Sequence, residues 1–215
     1  METAVSVSDE EIVERVRSGD TASYESIMRR YNQRLFRVAR AILKSDTDAE
    51  DAVQNAYVQA YMHLDQFEGD AAFSTWLTRI AIREACQLLR RARHQTSGDL
   101  DSMMYNLRAD DDPERDLLRF EMRALIEQAT SRLPVKYRLV FMLREVEELS
   151  TAQTAACLNL TEKNVKVRLH RARAFLRQEL FAAAGPAVKN VFGFDGVRCD
   201  RIVESVMARL NTTSL

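Results

Sequence analysis

Apolar residues recur every three or four positions along most of the chain, the spacing of one face of an α-helix. Between Thr21 and Ser45 the residues Ile27, Tyr31, Leu35, Val38 and Ile42 keep that period and predict a helix with one side in a core. Ahead of it, Ser8 stands three residues before Glu11, a capping-box spacing, and Gly19 is placed to end a short first helix. A third helix is predicted from Thr47, with Glu50 in the reciprocal capping position, to about Leu64. Beyond the turn signal Gly69-Asp70, the residues Trp76, Ile80, Leu88 and Leu89 mark a long fourth helix whose end is basic, with Arg90, Arg91 and Arg93.

The period is lost over residues 96–112, where Asp99, Asp101, Asp110, Asp111 and Asp112 accumulate, and an acidic, flexible linker is expected there. Order returns with Asp112 at a cap, Pro113 at a first helical position and the stripe Leu118, Met122, Leu125 and Ala129. Pro134 opens another helix, read through to Glu148, with Leu139, Val140, Leu143 and Val146 on its buried side. Ser150 and Gln153 then form a capping box, Asn159 suits a left-handed closing position, and Thr161 can cap the next helix. Two helices with so little between them read as a helix-turn-helix. Only six Gly and three Pro in 215 residues argue against a turn-rich β design. The expected fold is all-α, two small helical domains joined by the linker.

Charge changes the picture locally. The chain balances 31 Lys and Arg against 32 Asp and Glu, yet between Lys163 and Arg177 there is no acid at all. At about 100° per residue, Val165, Leu169, Ala172, Leu176 and Leu180 share one side of this helix, while Lys163, Lys166, His170, Arg173 and Arg177 share the other. A solvated helix gains by mixing acids among its bases. An unmixed cationic face on the second helix of a helix-turn-helix points to the DNA major groove and its phosphates.

Other chemistries find little support. No P-loop, metal-ligand cluster or GxSxG motif is present, so neither an enzyme nor a cofactor or metal is expected. Cys86, Cys157 and Cys199 are odd in number and widely spaced, which argues against a disulfide framework or zinc. The acidic start and the lack of a long apolar run predict a cytoplasmic protein with no membrane insertion.

The segments "DAEDAVQNAY", "FSTWLTRIAIREA" and "ELSTAQTAACLNLTEKNVKVRLHRARAFL", in this order, resemble regions two and four of the extracytoplasmic-function (ECF) sigma factors of bacterial RNA polymerase. That resemblance implies binding to core RNA polymerase, recognition of bipartite promoter DNA and promotion of melting, in a stress or envelope response under an anti-sigma factor. It implies polymerase contacts at Asp48, Glu50, Asp51, Gln54 and Tyr57. It implies capture of an unstacked minus-ten base near Phe73, Ser74, Thr75, Trp76 and Arg79, although Trp76 also has the spacing of a core residue. Minus-thirty-five contacts fall on Arg144, Lys163, Lys166, Val167, His170, Arg171 and Arg173. Asn55 and Arg83 depart from the usual Glu and Asn of the family. The implied division is region two at 1–95, linker at 96–112, region four at 113–182 and an extension at 183–215. In the extension, Gly185 and Pro186 are expected to end the recognition helix, and Ile202, Val206 and Leu210 to form a short amphipathic helix. The competing reading is a helix-turn-helix regulator that works without polymerase.

Overall fold

The computed structural model describes residues 7–95, 113–189, 201–203 and 205. Eight α-helices and no strand occur among them: α1 Asp9–Arg17, α2 Tyr24–Leu43, α3 Asp46–Met62, α4 Phe73–Gln95, α5 Pro113–Arg132, α6 Val135–Phe141, α7 Thr151–Leu158 and α8 Glu162–Lys189. Residues 1–176 group into one compact unit and residues 177–215 into another. The expected linker and Cys199 lie outside the described residues. So does most of the expected C-terminal helix, of which Arg201, Ile202, Val203 and Ser205 are helical.

Helices α1 to α4 pack around one apolar centre, which includes Ile27, Leu35 and Val38 of α2, the alanines at 49, 52, 56 and 60 of α3, and Phe73 and Leu77 of α4. Small residues on α3 let its backbone approach α2 and α4, so the core-facing stripe of this helix is written largely in alanine. Local chemistry sets the ends. Ser8 Oγ accepts from the Glu11 amide at 3.2 Å, and the α1 chain turns out through Gly19 at φ 101°, a conformation open to glycine without steric cost. Lys44 takes the left-handed position after α2, and Ser45, not Thr47, caps α3 by accepting from the Asp48 amide. The third helix therefore begins one residue ahead of the position proposed for its cap, and it ends at Met62, with a single 3-10 turn at Leu64–Gln66.

The helix expected from Pro134 to Glu148 is not uniform. It is α-helical to Phe141 and then widens into a π turn over Met142–Val146, where Glu147 N donates to Met142 O. Val146, expected to be buried, is exposed in consequence. Met122 of α5 is likewise exposed, whereas Ala129 is buried. Gly185 and Pro186 do not end α8, which continues to Lys189; the alanines at 182–184 and 187 supply helix propensity on both sides of the pair.

Candidate nucleic-acid interface

The helix-turn-helix is assembled by caps. Ser150 Oγ accepts from the Gln153 amide at 3.1 Å while Gln153 Oε1 accepts from the Ser150 amide at 2.8 Å, satisfying two amides at the start of α7. Asn159 closes α7 at φ 51°, and the following Leu160 amide reaches back to Ala155 O at 2.9 Å. Thr161 Oγ1 then accepts from the Asn164 amide at 3.3 Å and fixes the start of α8. Val165 and Leu169 pack with Val140 and Ala155, so the apolar side of α8 is committed to the lobe.

That commitment turns Lys163, Lys166, Val167, His170, Arg171 and Arg173 outward, all of them exposed. Val167 is an apolar side chain 41% exposed in the middle of a cationic face, which suits contact with a thymine methyl. Two of the arginines are steadied from behind. Arg173 pairs with Glu145 at 2.7 Å, and Arg171 donates to Tyr137 Oη at 3.3 Å, a bond that holds the Tyr137 phenol below its usual pKa. Arg144, half-buried, is a different case, tied to the backbone of the loop that follows it. Its Nη1 donates to the Leu149 carbonyl and its Nε is buried without a hydrogen-bond partner, so this guanidinium braces the loop into α7.

At the start of α4 the expected minus-ten residues separate. Phe73 is wholly buried and Thr75 is 2% exposed, so neither offers a surface to a base in this conformation. Trp76 is half-buried, its ring 5.6 Å from Phe67 and 5.5 Å from Phe73, a position in an aromatic cluster that favours its core role. Ser74 is half-buried and Arg79 exposed. On α3, Asp48, Glu50, Asp51 and Gln54 share the exposed face, but Tyr57 points inward and donates to Met28 O at 3.1 Å. Tyr57 is thus a core residue, 6% exposed, and sets itself apart from the other four.

Side chains that sequence reasoning did not connect meet in an open cleft of about 1370 Å³ between α3, α4 and the helix-turn-helix. Arg79, Arg83, Arg91, Lys136 and Arg168 line it with Glu84 as the acid among them, a balance that favours an anionic occupant. Asn55 and Arg83, where the chain departs from the usual Glu and Asn of the family, both lie on this cleft. The basic end of α4 was the one signal of it, since Lys136 and Arg168 join only through the tertiary fold.

The two lobes correspond to known families. Residues 27–95 match Sigma-70 region 2 and residues 123–176 match Sigma-70 region 4. The chain is 33% identical over 175 residues to the ECF RNA polymerase sigma-E factor of Escherichia coli, spanning 78% of this chain and 91% of that one. The chain belongs to the ECF sigma factors. A second relative, the ECF RNA polymerase sigma factor SigW of Bacillus subtilis, is 31% identical over 176 residues, 78% of this sigma factor and 94% of SigW. Among solved structures, CnrH in complex with the cytosolic domain of CnrY matches with a TM-score of 0.61 at 28% identity, covering 81% of this chain and 97% of CnrH. The sigma factor RpoE in complex with the anti-sigma factor NepR from Bartonella quintana shares the fold, with a TM-score of 0.60 at 22% identity over 73% of this chain and 96% of RpoE. No described helix is long and apolar enough to cross a membrane.

Proposed function

We propose that this sigma factor binds core RNA polymerase, directs it to bipartite promoters and promotes opening of the duplex there. The observation that carries the reading is α8, whose apolar side is locked into its lobe while Lys163, Lys166, Val167, His170, Arg171 and Arg173 are left exposed on one helix. Such a helix reads the minus-thirty-five element as duplex, with phosphate contacts giving affinity and base edges giving specificity. Asp48, Glu50, Asp51 and Gln54 form the polymerase contact on α3. Ser74 and Arg79 take the unstacked minus-ten base, with Trp76 packed behind them in the aromatic cluster, and that capture offsets lost stacking without ATP. Region two then spans 1–95 and region four 113–182. That CnrH and RpoE were both solved with a bound protein, NepR being an anti-sigma factor, supports a regulatory partner of this class.

Run-off transcription with purified core polymerase on a genomic promoter library tests this directly. Initiation that depends on the added chain is expected, with weak duplex binding by the chain alone. Tight duplex binding without polymerase, and no initiation, would replace this reading with a conventional helix-turn-helix regulator.

A further inference from the structure

The start of α4, where the minus-ten base is proposed to bind, is reached through a connection with almost no bonds of its own. Among the described residues, Glu68, Gly69, Asp70 and Ala71 form no hydrogen bond, and Gly69 turns the chain at φ 83°. A segment of this kind takes its shape from whatever fastens its two ends. At the far end Ala72 O accepts from the Thr75 amide at 2.9 Å and the Trp76 amide at 3.2 Å, which builds the first turn of α4. At the near end there is only the single 3-10 turn Leu64–Gln66.

That near end is fastened from another helix. Arg17, the last residue of α1, donates from Nη2 to the carbonyl oxygens of Leu64 and Phe67, each at 2.7 Å. Leu64 O also accepts from the Phe67 amide at 3.1 Å, which closes the turn, whereas Arg17 is the one donor to Phe67 O among the described residues. The acids near Arg17 are held more loosely. Glu14 lies 3.9 Å from it and Asp65, 95% exposed, lies 4.0 Å away. The two short, charge-assisted carbonyl bonds therefore define where this guanidinium sits, and the exposed ion pairs add little. Phe67 passes the constraint on, since its buried ring lies 5.2 Å from Phe73, edge-on, and 5.6 Å from Trp76, on either side of Ser74 in sequence.

We infer that Arg17 is a positioning residue for minus-ten capture. By fixing the backbone at Leu64 and Phe67 it holds the connection, and through the Phe67 ring the first turn of α4, in the geometry that Ser74 and Arg79 need to receive the unstacked base. Arginine suits the task because its donors are held in a rigid plane, which a lysine ammonium on a flexible stem does not reproduce. The inference rests on the proposed role of Ser74 and Arg79, and its test tells the two apart.

Holoenzyme is assembled from core polymerase and the full chain. Its affinity for a fluorescent non-template oligonucleotide, carrying the minus-ten sequence of a promoter from the run-off screen, is measured by anisotropy with each base in turn replaced by an abasic site. Loss of the captured base is expected to weaken binding about tenfold. In Arg17→Ala that penalty should fall to about twofold while those at other positions stay as they are. A smaller folded fraction cannot produce this, because it leaves ratios of affinities untouched. Glu14→Gln with Asp65→Asn, which removes the loose ion pairs and spares the carbonyl bonds, should keep the full penalty. Without DNA, acrylamide quenching of Trp76 should rise in Arg17→Ala at constant far-UV circular dichroism, because Phe67 no longer shields the indole. Should Arg17→Ala lose helix content, Arg17→Lys replaces it, with the same selective loss expected. An abasic profile that Ser74→Ala and Arg79→Ala leave unchanged sinks the base-capture reading and this inference with it. A profile that those two flatten and Arg17→Ala does not, or unchanged quenching of Trp76, overturns the role of Arg17 alone.

Discussion

Tyr57 shows how one side chain can be read two ways. It belongs to the family segment "DAEDAVQNAY", which suggested a polymerase contact, but in the fold its ring meets Tyr24 edge-on at 6.2 Å and its hydroxyl donates to Met28 O. Replacing it by Phe removes one buried hydrogen bond and is expected to cost about 1 kcal/mol at neutral pH. The same substitution has a signature at high pH. Burial holds the phenols of Tyr24 and Tyr57 well above the usual tyrosine value of 10.0, and that of Tyr31 up to about 12. Between pH 10 and those higher values the unfolded chain has released its phenolic protons and the folded chain has not. Their stabilisation is therefore complete below pH 10 and is lost as pH rises through the folded-state values. Urea denaturation followed from pH 8 upward should show stability falling once pH passes about 10, with a shallower fall in Tyr57→Phe. An identical slope in the two proteins would mean that the Tyr57 phenol is not protected by burial.

At the level of elements, α8 divides its surface cleanly enough for a single substitution to be diagnostic. Lys166 is exposed on the face that leaves the lobe, so Lys166→Ala should leave stability unchanged while weakening binding of minus-thirty-five duplex by the holoenzyme. Loss of one phosphate contact is expected to lower the log–log salt slope by about 1; an unchanged slope measured by fluorescence anisotropy would move DNA off this face. This helix was largely legible because each of its signals is local: Ser150 with Gln153, Asn159, Thr161 and the period from Val165 to Leu176. The misses have physical causes too. Ser45 and Thr47 both offer a capping hydroxyl, and only the backbone decides between them. A π turn at Met142–Val146 has no signature in the apolar spacing, because Val146 keeps the helical period in sequence and only the widened turn carries it out to solvent. On α3 the core stripe is largely alanine, and the family resemblance that placed Tyr57 at a polymerase contact does not show that it is one of the few large side chains the helix buries.

The whole chain carries a feature that no local pattern could announce, which is that two lobes of different expected function share one apolar centre. The helix-turn-helix keeps only a small cluster of its own around Val140, Ala155, Val165 and Leu169, while Leu139, Leu143, Leu149 and Cys157 are given to the first lobe. Arg34 and Arg37 each lie more than a hundred residues from Glu147 in sequence, and their ion pairs with it form only through that packing. If the shared centre couples the lobes, damage on one side must be felt on the other. Leu143 is fully buried, and Leu143→Ala is expected to cost about 2–5 kcal/mol. Trp76, the one tryptophan of the chain, lies in the aromatic cluster of the first lobe and reports the unfolding of that cluster by its fluorescence. In Leu143→Ala the urea midpoint read from Trp76 should fall together with the midpoint read from far-UV circular dichroism, although the substitution is in the second lobe. A Trp76 midpoint that stayed in place while part of the helical signal was lost early would show that the lobes unfold independently, and the ionic contacts alone would then have to hold region four over α4.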